Sequence, residues 1–322
     1  MKLVNMRRLI YISLFCSLAV SAFSQQDEQF THFMYHKLGY NPAYAGAQET
    51  PTFYVLARQQ WMGIEGAPQS QLVSFNTPLT SKGVGIGGIV SRHTIGATSR
   101  LTAEAAYTYR FNLGVGGRLG IGVSTSVRLL RTDFDQLEST QPRTEDSAIP
   151  TGIQSKYVPN FGAGIYYSNQ IFYVGFSSPR LLENNIDLAD ESAIISTEIR
   201  HMYLMAGILV NVGEKIQIQP QMLLKYVKGA PFDGDMNVNF IFDDRIYGGL
   251  SYRLGGSKET GIGEAGSLLF GVQITESLLF GLSYDYTLSE LRSYSSGSME
   301  GMIRYTIGGR SRGTEILSPR FF

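Results

Sequence analysis

LTAEAAYTYRFNL, residues 101–113, decides the fold. Leu101, Ala103, Ala105, Tyr107, Tyr109, Phe111 and Leu113 alternate with Thr102, Glu104, Ala106, Thr108, Arg110 and Asn112. A period of two sends successive side chains to opposite sides of a β-strand, so one face is apolar and the other mostly polar. One such strand also fits a soluble sandwich. Stretches of about ten residues with this pattern recur along almost the whole chain, and the chain opens with an export signal. Together these imply a closed barrel spanning an outer membrane, with lipid outside and water or protein within.

Residues 1–24 read as a signal peptide: Lys2, Arg7 and Arg8, an apolar run from Leu9 to Val20, then Ala22-Phe23-Ser24 as a small-x-small cleavage site. Cys16, the only cysteine, lies inside it behind Phe15, where a lipoprotein signal needs a small residue. The remainder therefore has neither disulfides nor thiolate metal sites. The full chain carries 27 Lys+Arg and 27 Asp+Glu. Loss of three basic residues with the leader leaves a net charge of about −3, which gives no reason to expect a nucleic-acid partner. Beyond residue 24 no apolar run reaches the ~18 residues of a spanning helix, so membrane crossing falls to strands.

Residues 25–51, QQDEQFTHFMYHKLGYNPAYAGAQETP, show no clean period, and Asn41-Pro42 marks a turn. Phe30, Phe33, Tyr35, Tyr40 and Tyr44 would be awkward in water. This segment is expected to plug the barrel or cap its periplasmic mouth. Fourteen strands are then expected, at about 52–61, 68–77, 83–92, 98–112, 116–131, 157–168, 170–178, 201–212, 214–227, 236–243, 245–255, 265–275, 277–288 and 298–308, followed by a C-terminal periplasmic tail, 309–322. The alternation is weak near 52–61 and 201–212. Links after even-numbered strands are tight and those after odd-numbered strands mostly long, above all Thr132–Lys156 and Pro179–Arg200. Outer-membrane barrels sort their periplasmic turns and outer loops in this way.

A charge on the lipid face at mid-bilayer costs roughly 2–4 kcal/mol, so Glu104, Arg110, Arg118, Arg128 and Asp285 are expected to point inward. Gly120, Gly122 and Gly281 share that inner face. Either strand curvature or the close passage of another backbone accounts for them. Tyr107, Tyr167, Tyr252 and Tyr284 are candidates for the aromatic girdles at the membrane interfaces.

Catalytic and metal signatures are weak. His32 and His36 are four apart but lack a helical pattern and a third ligand. A Ser-His hydrolase would need a serine beside His93 or His201 on the barrel exterior, with Ser91 and Ser124 as the serines to consider. The glycines of Gly83-Val84-Gly85-Ile86-Gly87-Gly88 belong to a strand rather than to a phosphate-binding loop. No cofactor and no bound metal are expected, and no catalytic residue is assigned.

Tyr40-Asn41-Pro42-Ala43-Tyr44-Ala45-Gly46, Arg58-Gln59-Gln60-Trp61, Gly66-Ala67-Pro68-Gln69 and Ser74-Phe75-Asn76-Thr77-Pro78 follow one another in order. With the closing Ser318-Pro319-Arg320-Phe321-Phe322, this set resembles the PorP/SprF family of outer-membrane proteins from the type IX secretion and gliding machinery of Bacteroidota. The resemblance implies a non-enzymatic barrel that contacts periplasmic secretion components, such as a ring-forming lipoprotein, or holds secreted adhesins at the cell surface, or does both. It singles out Asn41, Pro42, Ala43, Tyr44, Gly46, Arg58, Gln59, Gln60, Trp61, Pro68 and Pro78 as contacts to a partner or to the plug. Trp61 has the character of an interfacial anchor, and Arg58 can form paired hydrogen bonds. A transport pore is the alternative reading, because fourteen strands fall between filled eight-stranded barrels and open porins of 16–18.

Overall fold

The computed structural model describes residues 27–48, 50–79, 83–114, 116–136, 152–188, 196–255 and 263–308. The leader, the tail from 309, and the central parts of the links 132–156 and 179–200 lie outside the described residues. The strands are β1 Thr52–Gln59, β2 Gln69–Pro78, β3 Val84–Ile95, β4 Thr98–Asn112, β5 Arg118–Asp133, β6 Ile153–Ser168, β7 Phe172–Ser178, β8 His201–Ile208, β9 Val210–Val212, β10 Ile216–Val227, β11 Asp233–Phe242, β12 Ile246–Arg253, β13 Ala265–Gln273, β14 Leu278–Thr287 and β15 Ser298–Thr306. Both β8 and β9 pair with β10. They are one pass broken at Leu209, so the fifteen segments make fourteen crossings.

Each of the fourteen passes pairs antiparallel with the next in sequence, and β15 returns to β1 with Thr306 opposite Thr52. The sheet therefore closes and no strand edge is left open, as lipid surroundings require. Ala103, Ala105, Tyr107 and Tyr109 of β4 are exposed, while Thr102, Ala106 and Thr108 are buried. Tyr107, Tyr252 and Tyr284 also face outward. Arg128 and Asp285 are buried on the inner face, and Glu104, Arg110 and Arg118 share their strand faces with buried neighbours.

In β1 the burial alternates cleanly although the sequence does not. Inward Tyr54 and Leu56 are as apolar as outward Phe53 and Val55, which erases the contrast in the sequence. The same holds for inward Tyr203 and Met205 in β8.

The rim carrying Thr52 and Thr306 has the short turns 79–83, 113–117, 169–171, 213–215, 243–245 and 274–277. The far rim has the longer links 60–68, 134–152, 179–200, 254–264 and 288–297; the exceptions are Gly96-Ala97 between β3 and β4 and residues 228–232 between β10 and β11. With 15 and 16 residues, β4, β5 and β6 exceed the ~9–11 needed to span a bilayer.

Residues 27–48 pack against inward-facing side chains. Three short 3-10 turns, Phe33–Tyr35, Lys37–Gly39 and Pro42–Tyr44, follow closely on one another within it. Such turns are not legible as helix, because three residues of 3-10 carry no 3.6 periodicity. Asp27 lies beside Arg180 at the far rim, and Gly46 lies beside Asn76 and Gly85 near the opposite one. The segment thus runs the height of the barrel.

Candidate functional site

The contacts between this segment and the wall fall into two layers. Toward the rim of short turns the layer is apolar: Leu38, Ala43, Tyr44 and Ala45 meet Tyr166, Tyr173, Leu223, Ile241 and Leu279 in one buried cluster. Toward the far rim the layer is ionic.

The sequence Asn41-Pro42-Ala43-Tyr44 builds the apolar layer. Pro42 opens its turn with a φ already suited to it. Asn41 Oδ1 accepts from the Ala43 amide at 2.9 Å, capping the turn, while Asn41 Nδ2 donates to the Ile165 carbonyl at 2.9 Å. Thr108 Oγ1 donates to the Pro42 carbonyl at 2.7 Å, and Ser177 Oγ donates to the Tyr40 carbonyl at 2.7 Å. The Gly46 amide donates to Asn76 Oδ1, with Gly46 at φ +68°. Irregular backbone buried here finds its partners on the strands, as buried polar groups must.

Gly122 explains why the fit is close. A Cβ there would fall on the backbone of Pro42 and Ala43, and one on Gly120 would press the Ala43 carbonyl oxygen at 2.8 Å. Close passage of another backbone is therefore the reason for these two glycines. Gly281 also faces inward, with Met302 and His32 Nε2 over it. Tyr44 sits edge-on to Tyr166 at 5.3 Å. The Lys37 ammonium lies 3.9 Å from the centre of the Tyr173 ring. Burial, and then the charge of Arg304, holds Lys37 well below the ordinary lysine range.

In the ionic layer Arg58 is the hinge. Its Nη2 is 2.6 Å from Asp285 Oδ2, and Nη1 donates to Glu300 Oε2 at 3.1 Å and to Thr31 Oγ1 at 3.0 Å. The amides of Thr31 and His32 donate to the two Glu300 oxygens at 3.0 and 2.8 Å, and His32 Nδ1 lies 2.7 Å from Oε1. Thr31 Oγ1 lies 2.8 Å from Asp285 Oδ1. Next along the wall, Asp235 takes Lys225 at 2.6 Å and Arg253 Nε at 2.7 Å, while Gln29 donates to Asp233 at 2.7 Å.

On the other wall stand Arg100, Arg128 and Arg180. Arg180 pairs with Asp27, Arg100 with Glu28 at 3.0 Å, and Arg128 with Glu198, a residue of the far-rim link. Tyr203 donates to Asp27 at 3.1 Å. Burial acts to raise the Asp27 carboxyl, but Arg180, His201, Arg128 and Arg100 together outweigh it and hold the group below the usual carboxylate range. Glu28 is lowered in the same way: burial opposes ionisation, and Arg100 prevails.

The family-motif residues do not converge on one place. Asn41, Pro42, Ala43, Tyr44 and Gly46 form the apolar layer, Arg58 the ionic one, and Pro78 ends β2 at the short-turn rim. Gln59, Gln60, Trp61 and Pro68 lie at the far rim. There the Gln60 amide donates to the Pro68 carbonyl at 2.9 Å, and Trp61, at φ +47°, donates its amide to Ser298 Oγ at 3.1 Å. The Met62 amide donates to the Gly297 carbonyl at 2.8 Å and the Ser296 amide donates to the Met62 carbonyl at 2.7 Å, joining the links 60–68 and 288–297. The strained Trp61 backbone therefore belongs to a clamp between two loops.

Sequence reasoning assigned no role to Thr108, Ser177 or Glu300, whose only trace is membership of the polar inward set, or to Asn76, which it met only inside the motif Ser74-Phe75-Asn76-Thr77-Pro78. His93 and His201 face inward, not outward, since both fall on the buried set of their strands. The serine beside His93 is Ser70, with Oγ 2.8 Å from Nδ1, rather than Ser91 or Ser124. His201 Nδ1 instead lies 2.8 Å from the Ile199 carbonyl. His32 and His36 diverge, one to Glu300 and the other stacked on Tyr54 at 5.5 Å. Among the described residues no group of three His, Cys, Asp or Glu is arranged to hold a metal.

A family model described as type IX secretion system membrane protein PorP/SprF matches residues 22–305. The chain belongs to the PorP/SprF family. With its closed antiparallel barrel and apolar exterior, this makes it a type IX secretion component of the outer membrane. Comparison with curated proteins returns no match. Solved structures similar to this PorP/SprF chain include the outer membrane protein Omp33 of Acinetobacter baumannii, at 9% identity and TM-score 0.46, covering 80% of this chain and 100% of that one. Another is the TodX deltaS2S3 mutant monoaromatic hydrocarbon channel, at 9% identity and TM-score 0.48, covering 87% and 94%. A Pseudomonas aeruginosa FadL homologue has 11% identity and TM-score 0.38, covering 80% and 89%.

Proposed function

We propose that the protein is a non-enzymatic scaffold of the type IX machinery, with residues 25–51 acting as a plug. Its working surfaces are then the two rims. The short-turn rim and the tail 309–322 receive periplasmic secretion components, a ring-forming lipoprotein among them, and the long links at the far rim hold a secreted adhesin.

The observation that carries this reading is the seating of residues 27–48. Asn41, Thr31 and His32 bond to inward side chains or backbone on β6, β14 and β15, and Gly122 on β5 is shaped to the Pro42-Ala43 backbone. A lumen filled by the chain itself leaves little for an open conduit to do. The absence of catalysis is part of the same proposal.

Affinity capture of the detergent-solubilised protein from its own cells tests the assignment. Co-purification of a periplasmic lipoprotein supports the secretion core, and co-purification of a large surface adhesin supports anchoring. Recovery of neither, together with solute flux through liposomes carrying the intact protein, supports the alternative, a transport channel.

A further inference from the structure

Three arginines from separate elements converge at the far rim: Arg100 at the start of β4, Arg128 near the end of β5 and Arg180 just beyond β7. Opposing them among wall and link residues are Glu198, in contact with Arg128 and 3.5 Å from Arg180 Nε, and Glu104. Asp27 and Glu28 complete the balance by pairing with Arg180 and Arg100, while Tyr203 donates to Asp27. Two neighbouring carboxylates of one short peptide thus occupy a basic pocket whose deepest member, Arg128, is 3% exposed.

The opposite wall bears Asp233, Asp235, Asp285 and Glu300 against Lys225, Arg253 and Arg58. It receives no acid from the segment; it receives Gln29, Thr31 and His32. The segment is therefore matched in sign to each wall it touches. Burial also differs along its length. The side chains of Asp27, Glu28, Arg100 and Arg180 retain 13–19% exposure, whereas those of Arg58, Asp285 and Glu300 retain at most 2%. Of these ion pairs, those the segment makes at the far rim are the ones within reach of solvent.

The geometry points to a peptide-binding site at the far rim, formed by Arg100, Arg128, Arg180 and Tyr203, that recognises adjacent carboxylates on an extended polypeptide and is filled in cis by Asp27 and Glu28. A partner reaching the outer mouth with an acidic segment competes for the same arginines. Paired, charge-assisted hydrogen bonds of arginine to carboxylate supply the recognition. The inference rests on the proposal that residues 27–48 occupy the lumen, and its test separates the two.

The probe is a fluorescent peptide of residues 27–36, DEQFTHFMYH, added to the detergent-solubilised full chain; the control peptide carries Asp27→Asn and Glu28→Gln. The unaltered protein is expected to bind neither. Asp27→Lys/Glu28→Lys in the protein drives the chain's own end from the arginines, and this variant is expected to bind the acidic peptide. The amide control should bind about tenfold or more weakly, and adding Arg100→Gln/Arg180→Gln should abolish capture. Asp27→Asn/Glu28→Gln in the protein, free of like-charge repulsion, serves should the lysine variant not fold, and is expected to bind with the same preference. A folded variant that ignores the acidic peptide, or takes both peptides equally, overturns the site. Ala43→Cys in the otherwise unaltered chain tells this failure from that of the lumen reading. Protection from an aqueous thiol reagent upholds the seating, and prompt reaction in the folded protein sinks the seating and the site together.

Discussion

Arg58 stands between two carboxylates that have almost no access to water, so its removal strands charge rather than merely deleting a contact. Breaking a buried ion pair on one side costs about 3–5 kcal/mol. Arg58→Met is accordingly expected to lower stability by about that much in urea unfolding, and a loss under about 1 kcal/mol would contradict the network. Gly122→Val places branched carbons on the Pro42-Ala43 backbone and should expel the segment, seen as new protease cleavage between residues 27 and 48. Gly248 on β12 has open space where a Cβ would go, so Gly248→Ala should stay within about 0.5 kcal/mol of the parent. Such discrimination is only half visible in the sequence. Position on the inner face is readable from alternation, but whether curvature or a passing backbone requires the glycine depends on a contact made from about 80 residues away.

At the scale of elements, the N-terminal segment carries a titration that reports on its seating. Burial pushes His36 down to about 4 from an ordinary 6.5, against the opposing charges of Glu300 and Glu28. The folded state therefore refuses a proton that the unfolded chain accepts between those values. This stability is complete above pH 6.5 and is lost as pH falls toward 4, by up to about 3 kcal/mol. His36→Phe keeps a ring over Tyr54 and should flatten the slope of melting temperature against pH between 6.5 and 4; an unchanged slope would assign it elsewhere. Asp27 is also depressed, so its contribution holds above the ordinary carboxylate range and fades only in stronger acid. The strands themselves are legible because lipid outside and polar groups inside impose a period of two. They blur where Tyr54, Leu56, Tyr203 and Met205 face the apolar layer of the segment, since two apolar faces leave nothing to alternate. The three 3-10 turns are hidden because their conformation is dictated by the wall and by the Asn41 cap rather than by any repeat of their own.

For the whole molecule, closure of β15 onto β1 leaves no free edge, and closed barrels resist unfolding as units. Unboiled and boiled samples are expected to migrate differently in detergent gels, and identical migration would argue against a closed barrel. The central proposal is that this barrel is filled by its own chain and works by its rims. Recordings of the intact protein in a planar lipid bilayer test it most directly. The account predicts no sustained conductance from the full chain and stable openings once residues 25–48 are removed. Steady open-channel current from the unaltered protein would contradict it.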